Sequence, residues 1–232
     1  MSEHESSTRS APVTPSSGVG VIHLFCKPLP LFDPESVVGA VKAAEAAGAQ
    51  VVTVGILGHK CDMAVMAMHT DLRELRALQT GLQRAGLEVV DSYVSITEVS
   101  EYAKGMPPEM LQPRLYPTIP PTGYTAWCFY PMSKKREGHA NWFRLPFDDR
   151  KELMAEHGKS GRTFAGRIVQ YITGSSGLDD FEWGVTLFGV HVDDLKDVVY
   201  TMRFDEASAI YGDFGAFYTG MVTPVDELVH AI

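Results

Sequence analysis

The sequence predicts an α+β fold built from two tandem ferredoxin-like units, and three observations lead there. Hydrophobic periodicity changes in the order β-α-β-β-α-β, and the whole order then repeats. Between the two runs lies a proline-rich segment, MPPEMLQPRLYPTIPPTG, from Met106 to Gly123. Finally, MAVMAMHTDLREL in the first half lines up with VTLFGVHVDDLKDV in the second, each an apolar strand that ends in His and passes into an Asp-Leu helix start.

Taken in order, residues 1–18 are polar, lack the apolar stretch of a signal peptide and read as a disordered tail. The first unit, 19–105, opens with VGVIHLFCKPL as a strand. The helix DPESVVGAVKAAEAAG follows, with Asp33 as N-cap, Pro34 in the first turn and Gly48 at its end. QVVTVGIL and DMAVMAMH are strands, DLRELRALQTGLQRAG a helix and EVVDSYVSITEV a strand. The connector, 106–123, carries too many prolines to hold regular structure for long. The second unit, 124–232, repeats the pattern with strand YTAWCFYPMSK, helix DDRKELMAEHGKSGRTFAG, strands RIVQYITG and FEWGVTLFGVH, helix DDLKDVVYTMRFDEASAIYG and strand AFYTGMVTPV. Two such units leave room between sheet and helices for a flat apolar ligand.

Composition narrows the function. With 45% hydrophobic and 21% charged residues over 232 positions, the chain buries a sizeable core. A net charge of −9 opposes nonspecific association with nucleic acid or anionic membrane, and no apolar run is long enough for stable membrane insertion. Cys26, Cys61 and Cys128 are far apart with no C-x-x-C, which points away from disulfides and thiolate metal sites and fits a reducing cytoplasm. HGKSGR is not a phosphate loop, because Leu153 stands where that pattern needs Gly.

Two places remain. On YTAWCFYPMSK, side chains alternate, so Cys128, Tyr130, Met132 and Lys134 share a face and aim a phenol and an ammonium into one space. An edge strand with Lys134 reaching water is the plainer reading. Lys135, Arg136, Arg144, Arg150 and Lys151, with Arg114 on the connector, form a basic region in an acidic protein. It is either a solvated surface or a seat for a ligand with several carboxylates. His157 lies near Leu153 and Met154 on the inward stripe of its helix. A helix C-terminus favours a histidine through the macrodipole. One axial histidine is also enough for haem iron, although it cannot hold zinc. His69 and His191, at equivalent strand ends, suggest a shared structural role.

YPMSKKR, HANWF, MAEHGKSGR, VQYITGSSGLDDFEWGVTLF and DVVYTMRFDEASA together resemble the haem-dependent coproheme decarboxylases of the chlorite dismutase-like superfamily. The resemblance covers nearly everything after the tail. It implies a paired ferredoxin-like barrel, a dimeric α/β barrel within one chain, assembled as a homopentamer in the cytoplasm. It also implies hydrogen peroxide-dependent conversion of two propionates of Fe-coproporphyrin III (coproheme) to vinyls, giving haem b, with a ferrochelatase delivering the coproheme.

By the same resemblance, Tyr130 is the redox-active tyrosine, Lys134 holds the second propionate, and His157 is the axial ligand. Gln170 is a distal-side residue, Arg114 and Ser208 anchor propionates, and Met132 and Trp142 line the porphyrin. In true chlorite dismutases an arginine matches Gln170, so chlorite dismutation is the second enzyme reading. A haem carrier without turnover is the third reading, and it would need neither Tyr130 nor Lys134. Some relatives carry a distal histidine just before the arginine matched by Arg114; here that residue is Pro113.

Overall fold

A computed structural model describes residues 10–103 and 105–232. The strands are β1 (Gly20–Pro28), β2 (Gln50–Ile56), β3 (Met63–His69), β4 (Leu87–Thr97), β5 (Ala126–Lys134), β6 (Arg136–Glu137), β7 (Ala140–Asn141), β8 (Ile168–Gly174), β9 (Trp183–Gly189), β10 (Gly212–Phe214) and β11 (Tyr218–Val222). The helices are α1 (Pro34–Ala46), α2 (Leu72–Arg84), α3 (Pro108–Leu115), α4 (Phe147–Arg162), α5 (Val192–Met202), α6 (Glu206–Ala209) and α7 (Val225–Leu228). Single 3-10 turns occupy Glu101–Ala103 and Trp142–Arg144.

The large sheet runs β10-β5-β11-β2-β3-β1-β4-β8-β9, and a further β5–β9 pairing closes it into an antiparallel barrel. Each half contributes one ferredoxin-like set, β2-β3-β1-β4 from the first and β8-β9-β5-β11 from the second. The halves meet at two seams, β4 with β8 and β11 with β2. At the second seam a Cβ on Gly220 would run into the carbonyl oxygen of Gly55, so this approach of the two units requires glycine.

The barrel interior holds Val21, Phe25, Val54, Met66, Tyr93, Trp127, Phe129, Phe188 and Tyr218. Helices cover the outside, so most strands are buried on both faces. That is why β3, MAVMAMH, reads as an unbroken apolar run rather than an alternating one. In the first unit, α2 buries Leu75, Leu78 and Leu82 at helical spacing, and the Asp71 side chain accepts from the Arg73 N–H to cap it. Asp33 does precede α1, but its carboxylate takes the Ser36 hydroxyl instead of a backbone N–H. Gly48 follows the helix at φ +99°. His69 and His191 both stand at strand-to-helix corners: His69 Nδ1 accepts from the Asp71 N–H at 2.9 Å, and the His191 N–H donates to the Asp194 carboxylate at 3.2 Å.

Three expectations need correction. The connector, expected to hold no lasting regular structure, contains α3. Pro108 fits its first turn, where the missing N–H is not needed, and Pro113 is tolerated because no residue of this short helix is buried. The final long helix is broken. Asp205 accepts from the Ser208 N–H at 3.0 Å and starts α6 as a new helix, after which the chain turns into β10. Of the tail expected to be disordered, residues 1–9 lie outside the described residues. Within 10–18, the carbonyl of Val13 accepts from Leu72 N–H at 2.9 Å and its N–H donates to Asp71 at 3.0 Å, which fastens this segment to the start of α2.

Leu82→Ala empties a site that is 0% exposed in the first unit's core and should cost about 2–5 kcal/mol, read as a lower urea midpoint with unchanged slope. Leu31→Ala, at a position 91% exposed, should stay within about 0.5 kcal/mol of the parent.

Candidate functional site

β5 divides its side chains between two compartments. Trp127 and Phe129 enter the barrel, while Cys128 and Tyr130 point outward into a cluster with Phe164, Val185, Leu187, Leu195 and Val198. Cross-strand register extends this outer face. Tyr130 pairs with Val185, which pairs with Ile172; Cys128 pairs with Leu187, which pairs with Gln170. The predicted face of Cys128, Tyr130, Met132 and Lys134 is therefore one wall of a layer between sheet and helices, and Gln170 stands on the same wall. Gln170 is half-buried, and its side-chain amide makes no hydrogen bond to another described residue.

Over this face lies α5, in contact with β5, β8 and β9, and next to α5 comes α4. It packs against α5 and α6, and among its sixteen residues none is fully buried, although Leu153 and Met154 lean on the cluster of Trp142, Ala207 and Tyr211. The first unit's helices, by contrast, bury several residues each.

His157 on α4 faces the break before α6. Its Nδ1 lies 3.1 and 3.2 Å from the two carboxylate oxygens of Asp205 and 3.4 Å from Ser208 Oγ. A carboxylate only accepts, so Nδ1 carries a proton, and in the neutral imidazole Nε2 is the nitrogen with a free lone pair. Asp205 is buried, with a side chain 2% exposed. A buried carboxylate that orients an imidazole in this way fixes its tautomer and raises its basicity as a metal ligand.

Tyr130 is buried, stacked on Phe217 at 4.4 Å and tilted against Phe214 at 5.8 Å. Burial, helped by Cys128 and opposed by Arg203, pushes its phenol well above the usual range, so it is un-ionised at neutral pH. Lys134 is 7% exposed. Its ammonium donates to the Ala207 carbonyl at 2.5 Å and sits 4.6 Å from the centre of the Trp142 ring. Burial lowers its pKa to about 8, against the opposing pull of Asp205 and Glu182. The expected residues Tyr130, Met132, Lys134, Trp142, His157 and Ser208 thus gather around α6 and the end of β5.

Arg114 lies on the connector. It is exposed on α3, whose neighbouring Leu115 carbonyl accepts from Thr97 and whose following Tyr116 hydroxyl accepts from the Gly18 N–H. The basic region is also partly spent on structure: Arg136 pairs with buried Glu182, and Arg150 holds Tyr102, the Leu145 carbonyl and Glu101. Sequence reasoning missed Asp205 and Glu182. A signal for Asp205 was present, since an Asp followed by Glu after Phe204 is an ordinary helix start; none marks Glu182.

The donor set limits what the site can hold. Among the described residues no cluster of three or more His, Cys, Asp or Glu could bind a metal ion, so a metal here would take one imidazole from the protein and its other ligands from elsewhere. A porphyrin iron meets that condition, because the ring supplies its remaining nitrogen ligands.

A barrel of two ferredoxin-like units, with a buried carboxylate orienting an imidazole on a helix of the second unit, defines the class. The chain belongs to the chlorite dismutase family, whose model matches residues 34–223. It is 44% identical over 185 residues, 75% of this chain and 73% of the relative, to the coproheme decarboxylase of Staphylococcus saprophyticus. Among solved structures, a heme-binding protein from Thermus thermophilus superposes with a TM-score of 0.84 and 34% identity, covering 96% of this chain and 98% of that one. A chlorite dismutase mutant from Candidatus Nitrospira defluvii, at 17% identity and a TM-score of 0.75 over 94% of this chain and 96% of that one, shares the fold.

Lys134 sets a test that needs no ligand. Its pKa falls from 10.5 free to about 8 folded, so the folded state disfavours the charged form. Between those values the unfolded chain binds more protons, and stability rises with pH. At about 1.36 kcal/mol per pKa unit, discounted for residual solvent, Lys134→Met should stabilise the protein by roughly 1–3 kcal/mol at pH 7. Urea titrations should show that gain shrinking as the pH is raised from 8 towards 10.5.

Proposed function

We propose that the protein is a coproheme decarboxylase, an enzyme that uses hydrogen peroxide to convert two propionates of coproheme to vinyls and so makes haem b. The observation that carries this reading is Tyr130 and Lys134 on one face of β5, with the Lys134 ammonium bonded to Ala207 of α6 and His157 bonded to Asp205, the cap of that same short helix. The named relative from Staphylococcus saprophyticus supports it.

Bound coproheme is at once substrate and source of the iron that reacts with peroxide. For each propionate the balance is simple: the side chain loses carbon dioxide, one proton and two electrons, and one peroxide accepts the electrons, that proton and one more from solvent to become two waters. His157 Nε2 would hold the iron, with Asp205 keeping the proton on Nδ1. Tyr130, un-ionised and packed on Phe217, would accept the hydrogen atom from the propionate β-carbon once it has itself been oxidised. The Lys134 ammonium, in reach of the same layer, trades its bond to the Ala207 carbonyl for a charge-assisted bond to a carboxylate. Trp142 stacks beneath that ammonium, Met132 adds apolar wall next to Tyr130, and Ser208 offers a hydroxyl beside His157. Gln170 contributes a neutral amide where chlorite chemistry would call for a cation.

The same reading extends to a cytoplasmic homopentamer that receives coproheme from a ferrochelatase. No helix among the described residues is long and apolar enough to cross a membrane. Light scattering on the purified protein tests the assembly.

The direct test is mass spectrometry of porphyrins after mixing protein, ferric coproheme and limiting peroxide. Loss of two carboxyl groups is expected; an unchanged porphyrin rejects the reading. Tyr130→Phe should bind coproheme and yield no haem b. Lys134→Ala should accumulate the product of a single decarboxylation, whereas equal slowing of both steps would remove its special role.

His157→Ala should abolish the histidine-ligated absorption spectrum. Oxygen release from chlorite by the loaded protein should be negligible.

A further inference from the structure

Tyr218 is a buried phenol that the reaction above does not use. It lies at the start of β11, where it pairs with Phe129, the residue that precedes Tyr130 on β5. The two tyrosines are therefore diagonal neighbours on adjacent strands, with their rings on opposite faces of one sheet. Phe217 joins the two sides. Its ring is stacked on Tyr130 at 4.4 Å in the outer layer, while Tyr218, the next residue, is stacked inside the barrel on Phe25 at 3.7 Å.

Their hydroxyls differ in what they touch. The Tyr130 hydroxyl makes no hydrogen bond to another described residue. The Tyr218 hydroxyl donates to the Asp91 carboxylate at 2.5 Å, and Asp91 is exposed on β4. A phenol whose proton can move along an existing hydrogen bond loses an electron more easily than one whose proton has nowhere to go, because the charged radical cation is never formed. The Lys60 ammonium, 5.3 Å from the Tyr218 ring centre, works against oxidation. It is outweighed, since Asp91 is in direct contact and takes up the proton itself.

We infer that Tyr218, with Asp91 as its proton acceptor, is a second oxidisable tyrosine that drains the oxidising equivalent from Tyr130 when no propionate is within reach. This rests on the proposed peroxide chemistry, which supplies the oxidant in the form of the Tyr130 phenoxyl. One electron passes from Tyr218 to that phenoxyl. The Tyr218 proton moves to the Asp91 carboxylate, and a proton from solvent restores the Tyr130 O–H. Tyr130 is reduced and Tyr218 oxidised by one electron each. The device protects the site after the second decarboxylation, when peroxide still arrives and the product no longer presents a reactive propionate to Tyr130.

The experiment loads the full chain with ferric haem b, adds excess hydrogen peroxide in the presence of a nitrone spin trap, and maps adducts by peptide mass spectrometry. Adducts are expected on both Tyr130 and Tyr218. Tyr218→Phe should lose the second adduct, keep the Tyr130 adduct and bleach its haem faster under excess peroxide. Asp91→Asn should likewise lose the Tyr218 adduct, because an amide cannot take the proton. Tyr130→Phe should lose it too, since the hole reaches Tyr218 through Tyr130. An adduct on Tyr130 with none on Tyr218, or with the second adduct on Trp183 instead, overturns the inference and leaves the decarboxylase reading intact. Absence of adducts on both tyrosines defeats the inference together with the peroxide reading beneath it.

Discussion

The double-sided hydrogen bonding of β5 is the constraint on which the rest depends. One edge is taken by β9, the other by β11 and then β10. A strand pinned on both edges cannot slip its register, and a slip of one residue would exchange every inward side chain for an outward one. That pinning decides that Trp127 and Phe129 fill the barrel while Tyr130 faces the ligand layer. It also closes the barrel, so a single set of backbone bonds both completes the fold and aims the chemistry. Pro131, which donates no ladder bond, sits where its carbonyl instead accepts from the Gly215 N–H at 2.9 Å, and the strand survives it.

The helix break at Asp205 has a comparable economy. Its carboxylate caps α6 through the Ser208 N–H and orients His157, while the carbonyl of Ala207, two residues on, takes the Lys134 ammonium. One short turn therefore positions the imidazole on α4 and the amine on β5. The arrangement costs stability at Lys134, which burial holds at about pH 8 rather than 10.5, and the protein keeps it. A residue retained at such a cost is better explained by use than by packing.

How much of this the sequence displays follows from the range of each interaction. The Tyr130–Lys134 face is legible because alternation along a strand is local. The doubled β-α-β-β-α-β order is legible because turns and caps are local too. The partnership of His157 with Asp205 is not, since it joins residues separated by 48 positions on elements that an unbroken helix would have kept apart. Lys134 finding the Ala207 carbonyl is invisible for another reason: a backbone acceptor has no side-chain signature. Arg114 is placed at the ligand by motif resemblance alone, and local patterning gives no sign that the helix it rides on is held against the end of β4 and the chain just before β1.

The two units fill the space behind their sheets differently. In the first unit, α1 brings Val37, Val38, Val41 and Ala44 against α2 and the sheet, and the C-terminal segment adds Leu228 and Val229 to the same cluster. The counterpart, α4, reads FDDRKELMAEHGKSGR and brings only Leu153 and Met154 inward. Closing that layer with protein would require apolar side chains, each contributing about 1.5–3 kcal/mol when fully buried. The second unit forgoes that stabilisation. A flat apolar ligand that enters the layer restores it, and because such a ligand binds only the folded protein, it adds about 2.7 kcal/mol when present at a hundredfold excess over its Kd. On the proposed reading, the unit whose covering helix buries least is thus the one whose stability would depend on bound coproheme.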